Sequence, residues 1–91
     1  MEEILGEVMS KIYKEPIKGE TETTINVLYG ENKISIYTNK VTLQRELNKI
    51  LGEPTIEYKI KRSIVGSQWE VDLSNKHKIS KLILKANIYE L

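Results

Sequence analysis

The chain has 91 residues, of which 40% are hydrophobic and 30% are charged, and its net charge is +1. This length and composition are typical of one small globular domain and exclude a disordered segment. The absence of cysteine excludes disulfides, thiolate metal sites and a cysteine nucleophile. No stretch approaches the roughly 18 apolar residues of a membrane-spanning helix, and the acidic start Met1-Glu2-Glu3 is unlike a secretory signal. We therefore expect a cytoplasmic protein.

The charges are distributed unevenly along the chain. Residues 1–31 contain seven acidic and three basic residues, a net charge of −4, whereas residues 32–91 contain eleven basic and six acidic residues, a net charge of +5. Such an asymmetry indicates either that the basic part selects a partner or that the acidic part neutralises it within one fold. The sequence leaves both interpretations open.

The first predicted element is a helix over residues 1–15. Its apolar residues at helical spacing are Ile4, Leu5, Val8 and Ile12. The dipeptide Glu15-Pro16 ends the pattern, because proline disfavours helix in the residue before it. Residues 16–23 are polar and predict a linker. The helix is therefore expected either to pack on the domain or to dock on a partner.

Residues 24–54 predict a β-hairpin followed by a helix. The hairpin is expected to turn near Gly30-Glu31-Asn32, pairing Tyr29 with Ile34 and Val27 with Ile36. The helix is expected to begin at Thr38-Asn39-Lys40 and to end before Gly52 and Pro54. Its predicted core residues are Leu43, Leu47, Ile50 and Leu51.

Residues 55–91 predict a second hairpin and a second helix. Gly66-Ser67 suits a two-residue type II′ turn, which would pair Ile64 with Trp69 and Ile60 with Leu73 on the core side. This register also places Arg62 on the apolar side, so that either a bulge turns it outward or it lies at the sheet margin. The last helix is expected to begin at Ser74-Asn75-Lys76. Its predicted core residues are Ile79, Leu82, Ile83 and Ala86.

Together these elements predict one α+β domain over residues 1–91. The expected order is αββαββα, a two-layer sandwich in which a four-stranded antiparallel sheet carries the two unit helices on one face. The sheet could be completed within one chain, or two chains could join their edges as a homodimer.

The sequence has no pattern typical of a catalytic or metal site. Its only histidine, His77, lies between Lys76 and Lys78 and is expected to be a solvated surface residue. No nucleophile motif, phosphate loop or paired histidine motif is present. We therefore expect no enzyme activity, no cofactor and no metal.

A basic stripe is the first candidate binding site. Cations in the first turn of a helix are unfavourable by about 0.3–1 kcal/mol each, so their presence at the start of the last helix suggests an anion contact. The candidate contacts with nucleic acid are Lys59, Lys76, Lys78, Lys81 and Lys85. A plain solvated lysine face is the alternative.

Apolar residues expected on the surface are the second candidate site. The outward side of the first hairpin contains Leu28 and Tyr37, and the chain ends in an apolar tail. The candidate protein-interface residues are therefore Leu28, Tyr37, Ile88, Tyr89 and Leu91.

Three segments of residues 24–91 resemble short uncharacterised proteins of Firmicutes and of their phages or mobile elements. The segments are Ile34-Ser35-Ile36-Tyr37-Thr38, Leu51-Gly52-Glu53-Pro54 and Trp69-Glu70-Val71. The resemblance implies no catalytic residues, and its context implies a small protein that binds and blocks a host factor. We therefore expect a non-enzymatic protein-binding module, an inhibitor or regulator of an unidentified host protein. A nucleic-acid-binding module is the alternative.

Overall fold

The computed structural model describes residues 11–80 of the chain. In this part the chain forms four β-strands and one α-helix, which confirms an α+β domain with a four-stranded antiparallel sheet. The elements are β1 (Thr23–Leu28), β2 (Lys33–Thr38), α1 (Val41–Leu51), β3 (Ile56–Ile60) and β4 (Ser63–Asp72). Three 3₁₀ helices accompany them, at Lys18–Glu20, Tyr29–Glu31 and Leu73–Lys78.

The strands lie in the order β1-β2-β4-β3, and every neighbouring pair is antiparallel. Strands β2 and β3 are both antiparallel to β4 and therefore parallel to each other. A helix is the usual connection between parallel strands, and here α1 connects β2 to β3. The last strand, β4, then lies between these two strands in the sheet. Within residues 11–80 the edges of the sheet are β1 and β3.

Helix α1 packs on one face of the sheet, which we call the inner face; the opposite face is the outer face. The buried core cluster consists of Ile34, Ile36, Leu43, Leu47, Trp69, Val71 and Ile79. Trp69 lies opposite Ile36 in the β2–β4 pair, and its indole N–H donates a hydrogen bond to the carbonyl oxygen of Gly52, at 3.0 Å. The polar end of the largest core side chain is thus satisfied at the end of α1.

The first hairpin has the predicted faces but a different register. Val27 pairs with Ile34 rather than with Ile36, and Tyr29 pairs with neither, because it begins the 3₁₀ turn. The turn ends at Asn32, whose backbone is left-handed with φ 55°. A shift of two residues leaves the side chains of the two strands on their predicted faces, whereas Tyr29, predicted on the core face, is exposed in the turn. Ile34 and Ile36 are therefore buried as expected.

The second hairpin corrects the prediction more deeply. It turns at Lys61-Arg62, where Ile60 pairs with Ser63, so the predicted turn at Gly66-Ser67 and its strand pairs are wrong. Arg62 lies exposed in the turn and not on the apolar side. Strand β4 continues through Gly66, which pairs with Tyr58.

A contact with a neighbouring strand explains the glycine at position 66. A Cβ atom placed there would lie 2.6 Å from the hydroxyl oxygen and 2.9 Å from Cε1 of Tyr37. Glycine inside a strand often marks such a close approach. Gly66 is therefore a packing residue and not a turn residue.

The end of the predicted N-terminal helix is not helical. Residues 1–10 of that prediction lie outside the described part of the chain, but Lys11–Glu15 has no helical structure, and Tyr13 forms a parallel bridge with Ile64. The N–H of Ile64 donates to the carbonyl oxygen of Ile12, at 2.7 Å, and the N–H of Lys14 donates to that of Ile64, at 2.9 Å. This segment thus lies beside β4, beyond the end of β2.

The predicted last helix falls within the described part of the chain only up to residue 80. Leu73–Lys78 is a 3₁₀ helix whose N-cap is Asp72, so the predicted opening at Ser74 is displaced by two residues. The Asp72 carboxylate accepts hydrogen bonds from both the N–H and the hydroxyl of Ser74, at 2.9 and 2.7 Å. These bonds lower the pKa of Asp72. Ile79 is buried as predicted, whereas Leu82, Ile83 and Ala86 lie outside the described residues.

Candidate functional site

A row of large apolar side chains is exposed along edge strand β3. Ile56, Tyr58 and Ile60 alternate along the strand and therefore lie on one face, where they are 40%, 42% and 58% exposed. Ile56 pairs with Gln68, which pairs in turn with Tyr37 on the other side of β4. The row consequently shares the outer face of the sheet with Tyr37.

Two tyrosine rings join this row to the middle of the sheet. The rings of Tyr37 and Tyr58 make an edge-to-face contact, with centroids 5.7 Å apart and planes at 76°. The Tyr37 ring can lie against β4 because Gly66 has no side chain. We call Tyr37, Ile56, Tyr58 and Ile60 the tyrosine patch. Burial raises the pKa of the Tyr37 phenol, and the Glu22 carboxylate and the Tyr58 phenol raise it further.

The inner side of β3 is charged and tied to the N-terminal segment. Lys11 forms salt bridges with Glu53 and Glu57, at 2.7 and 2.6 Å, and Lys59 lies 3.9 Å from Glu57. Burial alone would lower the pKa of Lys11, but the hydrogen bonds to the two carboxylates outweigh it and raise this pKa. Strand β3 therefore combines an apolar outer side with alternating charges on its inner side.

The same N-terminal segment also holds α1. The Asn48 amide donates to the hydroxyl of Tyr13, at 2.7 Å, and the Arg45 guanidinium lies 5.4 Å from the centre of the Tyr13 ring. The Glu15 carboxylate accepts a hydrogen bond from the N–H of Val41 at the start of α1, at 3.3 Å. An acidic group there is favourable because the N-terminus of a helix is electropositive.

A buried polar contact links α1 to the sheet. The Ser67 hydroxyl donates to Oε1 of Gln44, at 2.7 Å, and both side chains are buried. Among the described residues, Nε2 of Gln44 is the one buried side-chain nitrogen or oxygen without a hydrogen-bond partner. The sequence did not indicate that Gln44 is buried, because it is followed by other polar residues, Arg45 and Glu46, in the same helix.

The two predicted interface residues in the described part of the chain, Leu28 and Tyr37, are not brought together. Leu28 is exposed on the outer face but pairs with Lys33, whereas Tyr37 pairs with Thr24. The two side chains are thus separated by four residues of strand, roughly 13 Å at about 3.4 Å per residue. Only Tyr37 belongs to the tyrosine patch. Ile88, Tyr89 and Leu91 lie outside the described residues.

Among the candidate nucleic-acid contacts, Lys59 lies far from the lysines at the start of the last predicted helix. Lys59 lies beside Ile64 near the start of β4, while Lys76 and Lys78 follow the end of β4 at Asp72. Eight residues of strand, roughly 27 Å, separate these positions. Lys81 and Lys85 lie outside the described residues.

A different group of cations lies at the end of β3 that carries Ile60. Lys59 is near Lys61 and Arg62, which form the exposed turn between β3 and β4. Lys61 has a left-handed backbone, with φ 57°. The three cations lie within four positions in the sequence, which could have indicated the cluster. The predicted turn at Gly66-Ser67, however, had placed Arg62 on the apolar side of the sheet.

Neither a membrane-spanning helix nor a metal-binding cluster occurs in the described part of the chain. None of its helices is long and apolar enough to cross a membrane. It also contains no group of three or more histidine, aspartate or glutamate side chains placed to hold a metal ion. No protein-family model matches the chain, and no curated protein or solved structure is significantly similar to it.

Proposed function

We propose that this chain is a non-enzymatic protein-binding module and that the tyrosine patch is its contact surface. The observation that carries the proposal is the exposed apolar row Ile56, Tyr58 and Ile60 on an edge strand. Edge strands commonly carry charged or polar residues that discourage association. An edge strand with an apolar outer side offers both backbone hydrogen bonds and side-chain anchors to a protein partner.

The composition of the patch supports a protein partner. Tyrosine is enriched in the centres of protein interfaces, because it combines a large apolar ring with a polar end. The edge-to-face contact between Tyr37 and Tyr58 holds both rings in place before binding, which reduces the entropy lost on association. The resemblance to phage and mobile-element proteins adds that the partner is a cytoplasmic host protein, which the chain would inhibit or regulate.

The complete αββαββα two-layer arrangement stays a prediction as well. Its central part, the sheet with α1 on the inner face, is described above. The first and last helices fall mainly on residues 1–10 and 81–91, outside the described part.

One observation favours the alternative, a nucleic-acid-binding module. Lys59, Lys61 and Arg62 follow Tyr58 within four residues along the chain, and proteins that bind single strands combine basic residues with aromatic rings on which bases stack. Lys61 also keeps a left-handed backbone, which a lysine adopts only at a cost. The contact surface would then be this turn and not the stripe on the last helix.

The decisive experiment compares two variants of the outer face. In the patch variant, Tyr58→Ser is combined with Ile60→Ser; in the control, Asn26→Ser changes an exposed residue of the other edge strand. A host protein captured by the wild type from nuclease-treated lysate is identified, purified and titrated against all three proteins. We expect the patch variant to bind at least about tenfold more weakly and the control to bind like the wild type.

Two results would overturn the proposal. In the first, the patch variant binds the purified partner as tightly as the wild type does. In the second, capture depends on nucleic acid, falls steeply with salt and is lost when Lys59, Lys61 and Arg62 are changed together to Glu. That second result would establish the alternative.

A further inference from the structure

We infer that β3 pairs with the β3 strand of a second copy of this chain, in an antiparallel arrangement centred on Tyr58. The inference rests on the proposed role of β3 as a protein-binding edge. The sequence of the strand specifies one partner, a second copy of the same chain. The supporting observation is that Ile56-Glu57-Tyr58-Lys59-Ile60 is self-complementary when it is reversed.

The centred register matches every side chain of the strand with a suitable partner. Ile56 would lie opposite Ile60 of the second copy, and Tyr58 would lie opposite its own counterpart. Glu57 would lie opposite Lys59 of the second copy, and the two-fold symmetry repeats both pairs. Apolar, aromatic and opposite-charge pairs of this kind all stabilise antiparallel sheets. The backbone hydrogen bonds are also compatible with this register. Alternate residues of a strand direct their N–H and C=O groups to the same side, and each residue here lies opposite itself or a residue two or four positions away.

Other registers lack this complementarity. A two-fold axis at Glu57 would place this glutamate opposite itself, and an axis at Lys59 would place that lysine opposite itself. Like charges directly opposite each other are destabilising. An axis between two residues would pair the apolar outer side with the charged inner side, since a shift of one residue exchanges the faces. The centred register is therefore the one that the sequence of β3 selects.

The segments beyond the strand extend the charge complementarity. In the centred register, the turn that follows Ile60 would lie near the segment that precedes Ile56 of the second copy, which contains Glu53. The side chain of Glu53 is 79% exposed, although its carboxylate contacts Lys11. The turn Lys61-Arg62 is exposed as well. The basic turn of each copy would thus lie beside an acidic residue of the other copy.

The resulting dimer is closed and has a large apolar surface. The two four-stranded sheets would form one continuous sheet of eight strands. Both tyrosine patches would lie side by side on its outer face, because a two-fold axis perpendicular to a sheet keeps equivalent faces on the same side. This isologous contact uses the same strand in both copies, unlike a β1-to-β3 contact, which would continue into an open chain.

A charge exchange tests the inference directly. Lys59→Glu would place two glutamates opposite each other across the interface, and Glu57→Lys would place two lysines there. By sedimentation we expect either variant alone to dimerise about tenfold more weakly than the wild type. An equimolar mixture should recover the wild-type affinity, because both cross-strand pairs then combine opposite charges. Recovery in the mixture also shows that both variants are folded.

An introduced cysteine tests the register. The chain has no cysteine, so Tyr58→Cys has one possible disulfide partner, the same position in a second copy. Directly opposite residues in antiparallel strands lie within disulfide range. Mild oxidation should therefore link Tyr58→Cys into a covalent dimer and leave the control Asn26→Cys without a disulfide between copies.

Three results would overturn the inference: a wild type that stays monomeric at high concentration, single charge variants that dimerise unchanged, or a mixture that fails to recover. The proposed function is judged separately. A monomeric wild type whose tyrosine patch still binds a host protein would refute the dimer alone. A dimer whose patch variant retains that host protein would refute the host-binding role alone.

Discussion

The two hairpins show how differently local sequence and packing can determine a turn. The β1–β2 turn is defined by its own residues, since it ends at Asn32, and asparagine tolerates the left-handed backbone that it adopts there. The β3–β4 turn instead places Lys61 in that conformation, while the stronger turn signal, Gly66, lies inside β4. The difference teaches that a glycine can be required by a side chain from another strand.

The two edge strands of the sheet differ in the side chains on their outer sides. The outer side of β1 carries Thr24, Asn26 and Leu28, two of which are polar, whereas the outer side of β3 is entirely apolar. Both strands expose one edge within the described part of the chain. Only β3 combines that edge with a continuous apolar row.

The largest expected effect tests the register of the second hairpin. Trp69→Ala should lower the free energy of unfolding by about 3–5 kcal/mol, because Trp69 is 2% exposed in the core. Ile60→Ala should change it by less than about 0.5 kcal/mol. Urea unfolding followed by circular dichroism, in dilute protein, measures both. A large loss from Ile60→Ala would instead support the turn at Gly66-Ser67. If Trp69→Ala does not fold, Ile36→Val should still cost about 0.5–1.5 kcal/mol.

A glycine from each hairpin provides the second test. Gly66→Ala should cost about 1–3 kcal/mol, because the new methyl group would displace the Tyr37 ring. Gly30→Ala meets no atom within 4 Å and should stabilise the protein by up to about 1 kcal/mol. Thermal unfolding of both variants checks this contrast. In a Tyr37→Ser background the cost of Gly66→Ala should disappear; a persistent cost would show that the ring is not its cause.

The buried contact between α1 and β4 provides the third test. Ser67→Ala should destabilise the protein by about 1–3 kcal/mol, because Oε1 of Gln44 loses its donor in a buried site. Adding Gln44→Leu should recover most of this loss, since no buried amide then remains unpaired. Chemical denaturation of the single and double variants measures the recovery. A double variant less stable than Ser67→Ala would contradict the explanation.

The left-handed residues of the two turns provide the fourth test. Lys61→Gly should relieve about 1–2 kcal/mol of backbone strain in the folded state. Glycine also makes the unfolded chain more flexible, which costs roughly 0.5–1 kcal/mol, so the free energy of unfolding should increase slightly. Asn32→Lys should be unfavourable by up to about 1 kcal/mol, because lysine replaces a tolerant residue at φ 55°. Differential scanning calorimetry can resolve both changes, whose signs should be opposite. Equal signs would mean that the two turns are not comparable.

The smallest effect concerns pH and the attachment of β3 to the N-terminal segment. Lys11→Met should cost less than about 1 kcal/mol at neutral pH. Because the folded-state pKa of Lys11 is raised, its stabilisation is present below the unfolded pKa of about 10.4. It is lost as the pH rises through the higher folded value. The stability difference between wild type and variant should therefore shrink above that pH. A difference that persists or grows would show that packing of the lysine stem, not its charge, stabilises this contact.

Much of the domain could be predicted from local patterns. Ile34 and Ile36 alternate along β2, and Leu43 and Leu47 recur at helical spacing, so their burial followed from periodicity alone. The first-hairpin register differed by two residues, because a 3₁₀ turn occupies Tyr29–Glu31. Such a shift preserves the faces, so the side chains within the two strands point as predicted, whereas Tyr29 does not.

The candidate site was less predictable. Tyr37 lies half-buried on the outer side of the first hairpin, the side on which it was expected, but Tyr58 was not recognised as its neighbour, nor Ile60 as a residue of the same face. Their outward orientation depends on the turn at Lys61-Arg62, which carries no typical turn signal. Lys59 and Lys76 could not be placed relative to each other for a related reason, since the length of β4 that separates them was unknown until its partner strands were known. The basic stripe on the last helix stays a prediction, because Lys81 and Lys85 lie outside the described residues.

The sequence by itself determined the class of the fold, the location of α1 and the apolar positions of β2, because these depend on interactions within a few residues. Only the tertiary structure decided the turn of the second hairpin, the role of Gly66 and the exposure of the β3 row. These depend on which strands are neighbours and on the space that one side chain leaves for another. The tyrosine patch arises from both: the alternation within β3 is local, but its outward direction comes from pairing with β4 and from the Tyr37 ring over Gly66.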